Sequence, residues 1–188
     1  MKRFLFNKAL RILLITNGLV LIASAMLGPI YALFVEKIGG SLLDASLTGG
    51  IFALAAGITT LIAGNFADKF KEDELIVASG YIIMGIGFIL YIFVNSIWSL
   101  FGVQVLIGFA EAFYSPAFDA VYSKHITKKK AGSEWGAWES MNYFSTAIGA
   151  AMGGLIVSTF GFNALFTIMG ILCFASAIYI YHLPRRVL

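Results

Sequence analysis

The residues best suited to do chemistry share one face of a long apolar segment. At about 100° per residue, Gln104, Gly108, Glu111, Ser115 and Asp119 fall within an arc of roughly 80° on a helix. Glu111 lies near the middle of this apolar segment, where an ionised carboxylate costs about 2.5–3.5 kcal/mol. We therefore expect it to face away from lipid. It is either a structural hydrogen-bonding group or a site for a proton or cation, and its depth favours the second.

The first apolar segment carries a milder polar face. Asn17, Ser24, Gly28 and Tyr31 share that face, with Pro29 beside them. Proline removes a backbone hydrogen bond from a helix and permits a bend. The sequence leaves open whether this bend moves or is inert.

Small residues form a stripe on the second segment. They recur at intervals of three and four, as Ser46, Gly50, Ala53, Gly57, Thr60 and Gly64. Such spacing lets helix backbones approach closely in lipid. The stripe predicts a helix-packing face.

The elements that hold these residues are predicted to be transmembrane helices. Of 188 residues, 60% are hydrophobic and 12% charged, whereas soluble domains carry about 25% charged residues. A bilayer core needs roughly 20 apolar residues per helix, and six runs of mainly apolar residues occur, at 12–35, 46–66, 75–94, 97–122, 135–160 and 162–183. Because the connections are short, residues 1–188 are expected to form a single six-helix domain.

Several functional classes lack the residues they need. Cys173 is the only cysteine, so an intramolecular disulfide is excluded, and no Cys/His cluster suits zinc or an iron–sulfur centre. The sequence contains neither His-Glu-x-x-His nor a Gly-x-Ser-Gly nucleophile site, which argues against an intramembrane enzyme. We expect no metal, no cofactor and no nucleic-acid partner.

The basic residues predict an orientation. If both termini are cytoplasmic, that side holds all but one of the 13 lysines and arginines, and only Lys37 lies outside. We therefore expect a multi-pass protein of the cell (inner) membrane with both termini in the cytoplasm. The run 128–130 could also bind anionic lipid, although a solvated loop that sets the topology explains it better.

Three motifs resemble those of the major facilitator superfamily. Gly64-Asn65-Phe66-Ala67-Asp68-Lys69-Phe70-Lys71 resembles the loop signature Gly-x-x-x-Asp-Arg/Lys between its second and third helices. Gly108 and Tyr114-Ser115-Pro116-Ala117 resemble its fourth helix, with Gln104 where an arginine is common. Gly136 and the stretch 149–154 resemble the antiporter signature of the fifth helix, with Ala150 in place of its proline.

The resemblance implies a fold and a set of roles. It covers the whole chain, which looks like the N-terminal half of a drug/proton antiporter, built as two inverted three-helix repeats. First and fourth helices of the family line the cavity, which here implies Asn17, Ser24, Tyr31, Gln104, Glu111 and Ser115. Second and fifth helices join the halves, which implies a dimer interface of Gly50, Ala53, Gly57, Gly64, Gly149 and Gly153. Gating is implied for Asp68, Lys69, Lys71 and Asp119.

These observations lead to one hypothesis with two alternatives. We expect a half-sized secondary transporter, assembled in the lipid bilayer as a parallel homodimer, that exports small amphipathic or cationic molecules with Glu111 carrying the coupling proton. The alternatives are a membrane scaffold that transports nothing and a truncated piece of a twelve-helix transporter.

Overall fold

The computed structural model describes residues 7–67 and 72–183, with no side-chain description for 64–67. Within these ranges every regular element is helical, as expected. The helices are α1 (Lys8–Leu27), α2 (Tyr31–Lys37), α3 (Leu42–Ala67), α4 (Asp73–Leu90), α5 (Ile97–His125) and α6 (Ala131–Tyr181). Short 3-10 turns occur at Gly28–Ile30, Tyr91–Phe93 and Lys128–Lys130. In the described ranges, five helical spans are long and apolar enough to cross a membrane.

Local chemistry explains where the helices begin and bend. The Asn7 side chain accepts a hydrogen bond from the Leu10 N–H and caps α1. Ser96 and Ser99 form a reciprocal capping box that starts α5. Pro29 lies in the 3-10 turn between α1 and α2, which is the position of the bend that the sequence predicts.

A break at Gly161 divides α6. An unbroken helix of 51 residues would extend about 77 Å, far beyond a bilayer core of about 30 Å. Gly161 instead has φ 79° and ψ 175°, a backbone region that side chains with a Cβ rarely adopt. Two helices, 131–160 and 162–181, therefore meet at the glycine that separates the last two predicted runs.

The helices pack so that a space remains between α1 and α5. The helix α1 lies along α6, α3 lies along α5, and α4 contacts both α5 and α6. Two hydrogen bonds fasten α1 to α6, from Ser145 Oγ to the Gly18 carbonyl at 3.4 Å and from Ser176 Oγ to the Thr16 carbonyl at 3.0 Å. The space between α1 and α5 is where the candidate site lies.

The predicted interface role of Gly149 and Gly153 is wrong. Both are buried against α1 of the same chain, and a Cβ added to Gly149 would lie 2.6 Å from the Ile22 carbonyl oxygen. A Cβ on Gly153 would lie 2.7 Å from the Met26 carbonyl carbon and would overlap the Met26 carbonyl oxygen. These glycines bring two backbones together inside one subunit, so they are not available to a partner.

The stripe on α3 has no such partner among the described residues. Gly50, Ala53 and Gly57 are exposed, and a Cβ on Gly50 or Gly57 would meet nothing within 4 Å. Of the apolar window of α3, 6% is buried, against 39–50% in the other spans. The surroundings of Gly64 lie outside the described side chains. The α3 stripe remains a predicted interface.

The bundle has two ends, the terminal end and the far end. The terminal end contains Asn7, whose side-chain amide donates to the His125 carbonyl at 2.8 Å, and an ion pair between Lys124 and Asp73. The far end contains Lys37, Asn95 and Asn163, which surround one pocket.

Candidate functional site

A cavity of about 340 Å³ opens between α1 and α5. Four of the predicted cavity residues, Ser24, Tyr31, Gln104 and Glu111, lie around it. The remaining lining is mostly apolar or aromatic and comes from every long helix, with Leu27, Gly28, Gly49, Phe52, Phe88, Tyr91, Ile107 and Met169. Its shape and lining suit a small amphipathic molecule.

Two predicted cavity residues lie elsewhere. Asn17 is 3% exposed, and its side-chain oxygen accepts a hydrogen bond from the Tyr81 hydroxyl at 3.0 Å. It joins α1 to α4, so the cavity prediction for Asn17 is wrong. Ser115 is exposed on α5, one turn beyond Glu111 toward the terminal end, and does not line the cavity either.

One hydrogen bond bridges the cavity walls. The side-chain amide of Gln104 on α5 donates to the hydroxyl of Tyr31 at the start of α2. Because α1 and α5 contact each other little, this bond is a direct polar link between the two walls. It fixes the orientation of both polar groups on the cavity side.

Glu111 provides the acidic group of the cavity. It is partly buried and lies at the cavity wall with Ile107, one turn away on α5. Within residues 7–67 and 72–183 its carboxyl group has no hydrogen-bond or ion-pair partner. None of the described lysines and arginines lines the cavity. A carboxyl group in this setting can hold a proton or face a cation.

The floor of the cavity was not predicted from the sequence. The third and sixth runs carry no charge, a composition that suits helices facing lipid, yet Phe88, Tyr91 and Met169 reach the cavity and are almost fully buried. The hydroxyl of Tyr91 is a sequence feature that could have suggested an inward face for the third run.

The proposed gate lies largely outside the described residues. Asp68, Lys69 and Lys71 fall in the range 68–71, and Asp119 is exposed on α5. Another ionic arrangement appears at the terminal end, where Lys124 pairs with Asp73, which is 5% exposed. Nearby, a carboxylate oxygen of Glu134 accepts the Thr127 N–H at 2.7 Å and holds the connection between α5 and α6.

Comparison with known proteins agrees with this architecture. Residues 13–187 match the Major Facilitator Superfamily. The chain is 25% identical over 178 residues to "Multidrug resistance protein MdtG" of Salmonella schwarzengrund, and 24% identical to the proteins of the same name from Salmonella paratyphi B and Salmonella newport. Each comparison covers 93% of this chain and 44% of the relative, so the chain spans less than half the length of these curated relatives.

A family match across nearly the whole chain coincides with long apolar helices arranged around a cavity between the first helix and α5. The protein is therefore a multi-pass membrane protein, and the chain belongs to the Major Facilitator Superfamily.

Proposed function

We propose that this chain is half of a secondary transporter that exports small amphipathic or cationic compounds in exchange for protons. The observation that carries the proposal is Glu111, a carboxyl group without a described partner in the wall of a mostly apolar cavity. The relatives named as multidrug resistance proteins support export rather than another function.

The chemistry of the lining favours a cationic or neutral substrate. A carboxylate attracts a cation, and the rings of Phe52, Phe88 and Tyr91 line the same cavity, where aromatic rings can add attraction to a cation. A proton on Glu111 removes that attraction, so proton and cation compete for one charge. Competition of this kind couples release of the cation to uptake of a proton.

The proposal is tested with the purified chain in liposomes. Ethidium, a lipophilic fluorescent cation, is the probe, and a pH gradient is imposed across the bilayer. We expect the gradient to drive ethidium accumulation, and a protonophore to abolish it. A scaffold would neither bind nor move ethidium, and that result would overturn the proposal.

We further propose that the chain crosses the cell membrane six times, with both termini cytoplasmic. The break at Gly161 supports two crossings within α6. In the proposed inverted repeats, α1 to α4 form one unit and α5 to 181 form the other. The packing is consistent with two such units. The helix α1 of the first unit lies against helix 131–160 of the second, and α5 of the second unit lies against α3 of the first.

A parallel homodimer would complete the cavity from its open side. The α3 stripe supplies one face, and a second small-residue face is exposed on helix 131–160. Gly136, Ser140, Ala147 and Ala151 are all exposed there, within an arc of about 60° on a helix. This face replaces the buried Gly149 and Gly153 as the predicted contact for the partner's α3.

We predict that Gly57→Leu combined with Ala151→Leu separates the protomers. Added leucine side chains would prevent close backbone approach at the exposed faces without touching the subunit core. The matched control is Ala175→Leu, an exposed alanine on helix 162–181. Cross-linking in membranes and elution in mild detergent measure the outcome. If the double variant still cross-links and elutes as the wild type does, the interface has been placed wrongly.

We also propose a gate at the terminal end, in which Asp119 pairs with Lys69 and Lys71. Asp68 belongs to the same cluster. Exposed ion pairs contribute about 0–1 kcal/mol, so the effect is on conformational balance. A cysteine introduced at the exposed Ser133, in a Cys173→Ser background, reports accessibility by its labelling rate. Asp119→Asn should change that rate by up to about fivefold, whereas Glu139→Gln, another exposed acid, should not. An unchanged rate in Asp119→Asn would remove the gate.

A further inference from the structure

A second pocket lies at the far end of the bundle, away from Glu111. Its volume is about 360 Å³, and it is surrounded by residues from the end of α2, from the turn and connection that follow α4, and from the start of helix 162–181. Phe34 and Tyr91 form an aromatic floor, while Lys37, Asn95 and Asn163 form a polar rim. Three separate elements therefore contribute one polar side chain each.

The rim offers hydrogen-bond donors and no acid. The ammonium group of Lys37 lies 5.3 Å from the ring centre of Phe162, a cation–π contact that restrains it beside the pocket. In the described ranges, the side-chain amides of Asn95 and Asn163 make no hydrogen bond. No aspartate or glutamate of the described ranges lines the pocket. Asn163 also lies in the first turn of its helix, where the helix dipole favours negative charge.

An exposed tryptophan near the rim indicates that the pocket lies at the depth of lipid headgroups. Trp98, close in sequence to Asn95, is 82% exposed, and tryptophan is enriched at membrane–water interfaces because its ring is apolar and its N–H is polar. In the described part of the chain, Lys37 is the basic residue of this end. The other described lysines and arginines, at positions 8, 11, 124 and 128–130, lie toward the terminal end.

The size of the pocket exceeds what a small inorganic anion needs. The pocket volume is roughly ten times the volume per molecule of liquid water. This leaves room for a glycerol unit beside a phosphate. Phe34, Ile92 and Val94 supply an apolar wall for the carbon atoms attached to that phosphate.

We propose that the far-end pocket binds the phosphate group of a phospholipid from the adjacent membrane leaflet. Lys37, Asn95 and Asn163 donate to the phosphate oxygens, and the aromatic floor contacts the glycerol. The pocket shares Tyr91 with the transport cavity, but its polar rim lies outside that cavity, and the lipid proposal does not depend on the transport proposal.

The test uses the delipidated full chain in detergent. Binding of a short-chain phosphatidylglycerol is measured by native mass spectrometry and by the shift of the thermal unfolding midpoint. The variants are Lys37→Gln, Lys37→Arg and Asn95→Ala with Asn163→Ala, and Lys128→Gln is the control for loss of a cation at the terminal end. A diacylglycerol of the same chain length lacks the phosphate, and inorganic phosphate serves as the free-ion competitor.

We expect Lys37→Gln and the double asparagine variant each to weaken lipid binding by about tenfold or more. Lys37→Arg and Lys128→Gln should bind as the wild type does, and circular dichroism verifies the helix content of each variant. If inorganic phosphate displaces the lipid, the site also accepts the free ion; if it does not, the lipid is the ligand. Equal binding of diacylglycerol, or unchanged binding in Lys37→Gln, would overturn the proposal.

Discussion

Glu111→Gln is expected to abolish proton movement driven by ethidium while the protein stays folded. Glutamine has nearly the shape of glutamate and keeps hydrogen-bonding capacity, but it cannot take up or release a proton. Because no lysine or arginine of residues 7–67 and 72–183 lines the cavity, removing the carboxylate leaves none of their positive charges unpaired there. Ethidium affinity should fall by about tenfold, the size expected for losing one charged contact.

The matched control is Glu36→Gln, which neutralises an exposed glutamate near the far end, outside the cavity. It should leave both proton movement and ethidium affinity at wild-type levels. A pH-sensitive dye outside the liposomes records proton movement, and fluorescence titration gives the affinity. Unchanged coupling in Glu111→Gln would remove Glu111 from the mechanism.

Gly153→Ala is expected to destabilise the subunit, whereas Gly154→Ala is not. A Cβ on Gly153 would overlap the Met26 carbonyl, a backbone group that cannot rotate away, while a Cβ on Gly154 would meet nothing within 4 Å. The two helices must separate to admit the methyl group. Overpacking of this kind costs about 1–3 kcal/mol of the free energy of unfolding.

Thermal unfolding followed by circular dichroism in mild detergent compares the two alanine variants directly. The substitutions are chemically identical and one residue apart, so differences in helix propensity cancel. The result also distinguishes packing of Gly153 against α1 from a position in the dimer interface. At an interface, Gly153→Ala would weaken dimer formation and leave the stability of the subunit unchanged. Equal stability of both variants would contradict the packing of α1 against helix 131–160.

The sequence predicted the helical fold because its main signal is simple. Long apolar runs must form helices in lipid, where backbone polar groups need internal partners. Pro29 marked a bend because its backbone preference acts locally, and the boundary between the last two runs falls on Gly161. These features depend on the residues themselves and on the membrane, not on which helices become neighbours.

The site was harder to predict because a helical face does not reveal what covers it. Asn17 and Ser24 share one face of α1, but Tyr81 covers Asn17 whereas the cavity opens beside Ser24. Similarly, small residues occupy two faces of helix 131–160, and packing against α1 decides that Gly153 is buried and Ala151 exposed. A stripe indicates close approach but not whether its partner lies in the same chain.

The mass of the native protein in lipid nanodiscs tests the central claim most directly, because one subunit alone leaves the proposed transport cavity open. Native mass spectrometry of the purified chain, after release from the nanodisc, reports the number of copies. The account predicts a species of twice the 20.4 kDa chain mass, and its loss in the Gly57→Leu, Ala151→Leu variant. A wild-type protein that is a monomer throughout would contradict the homodimer.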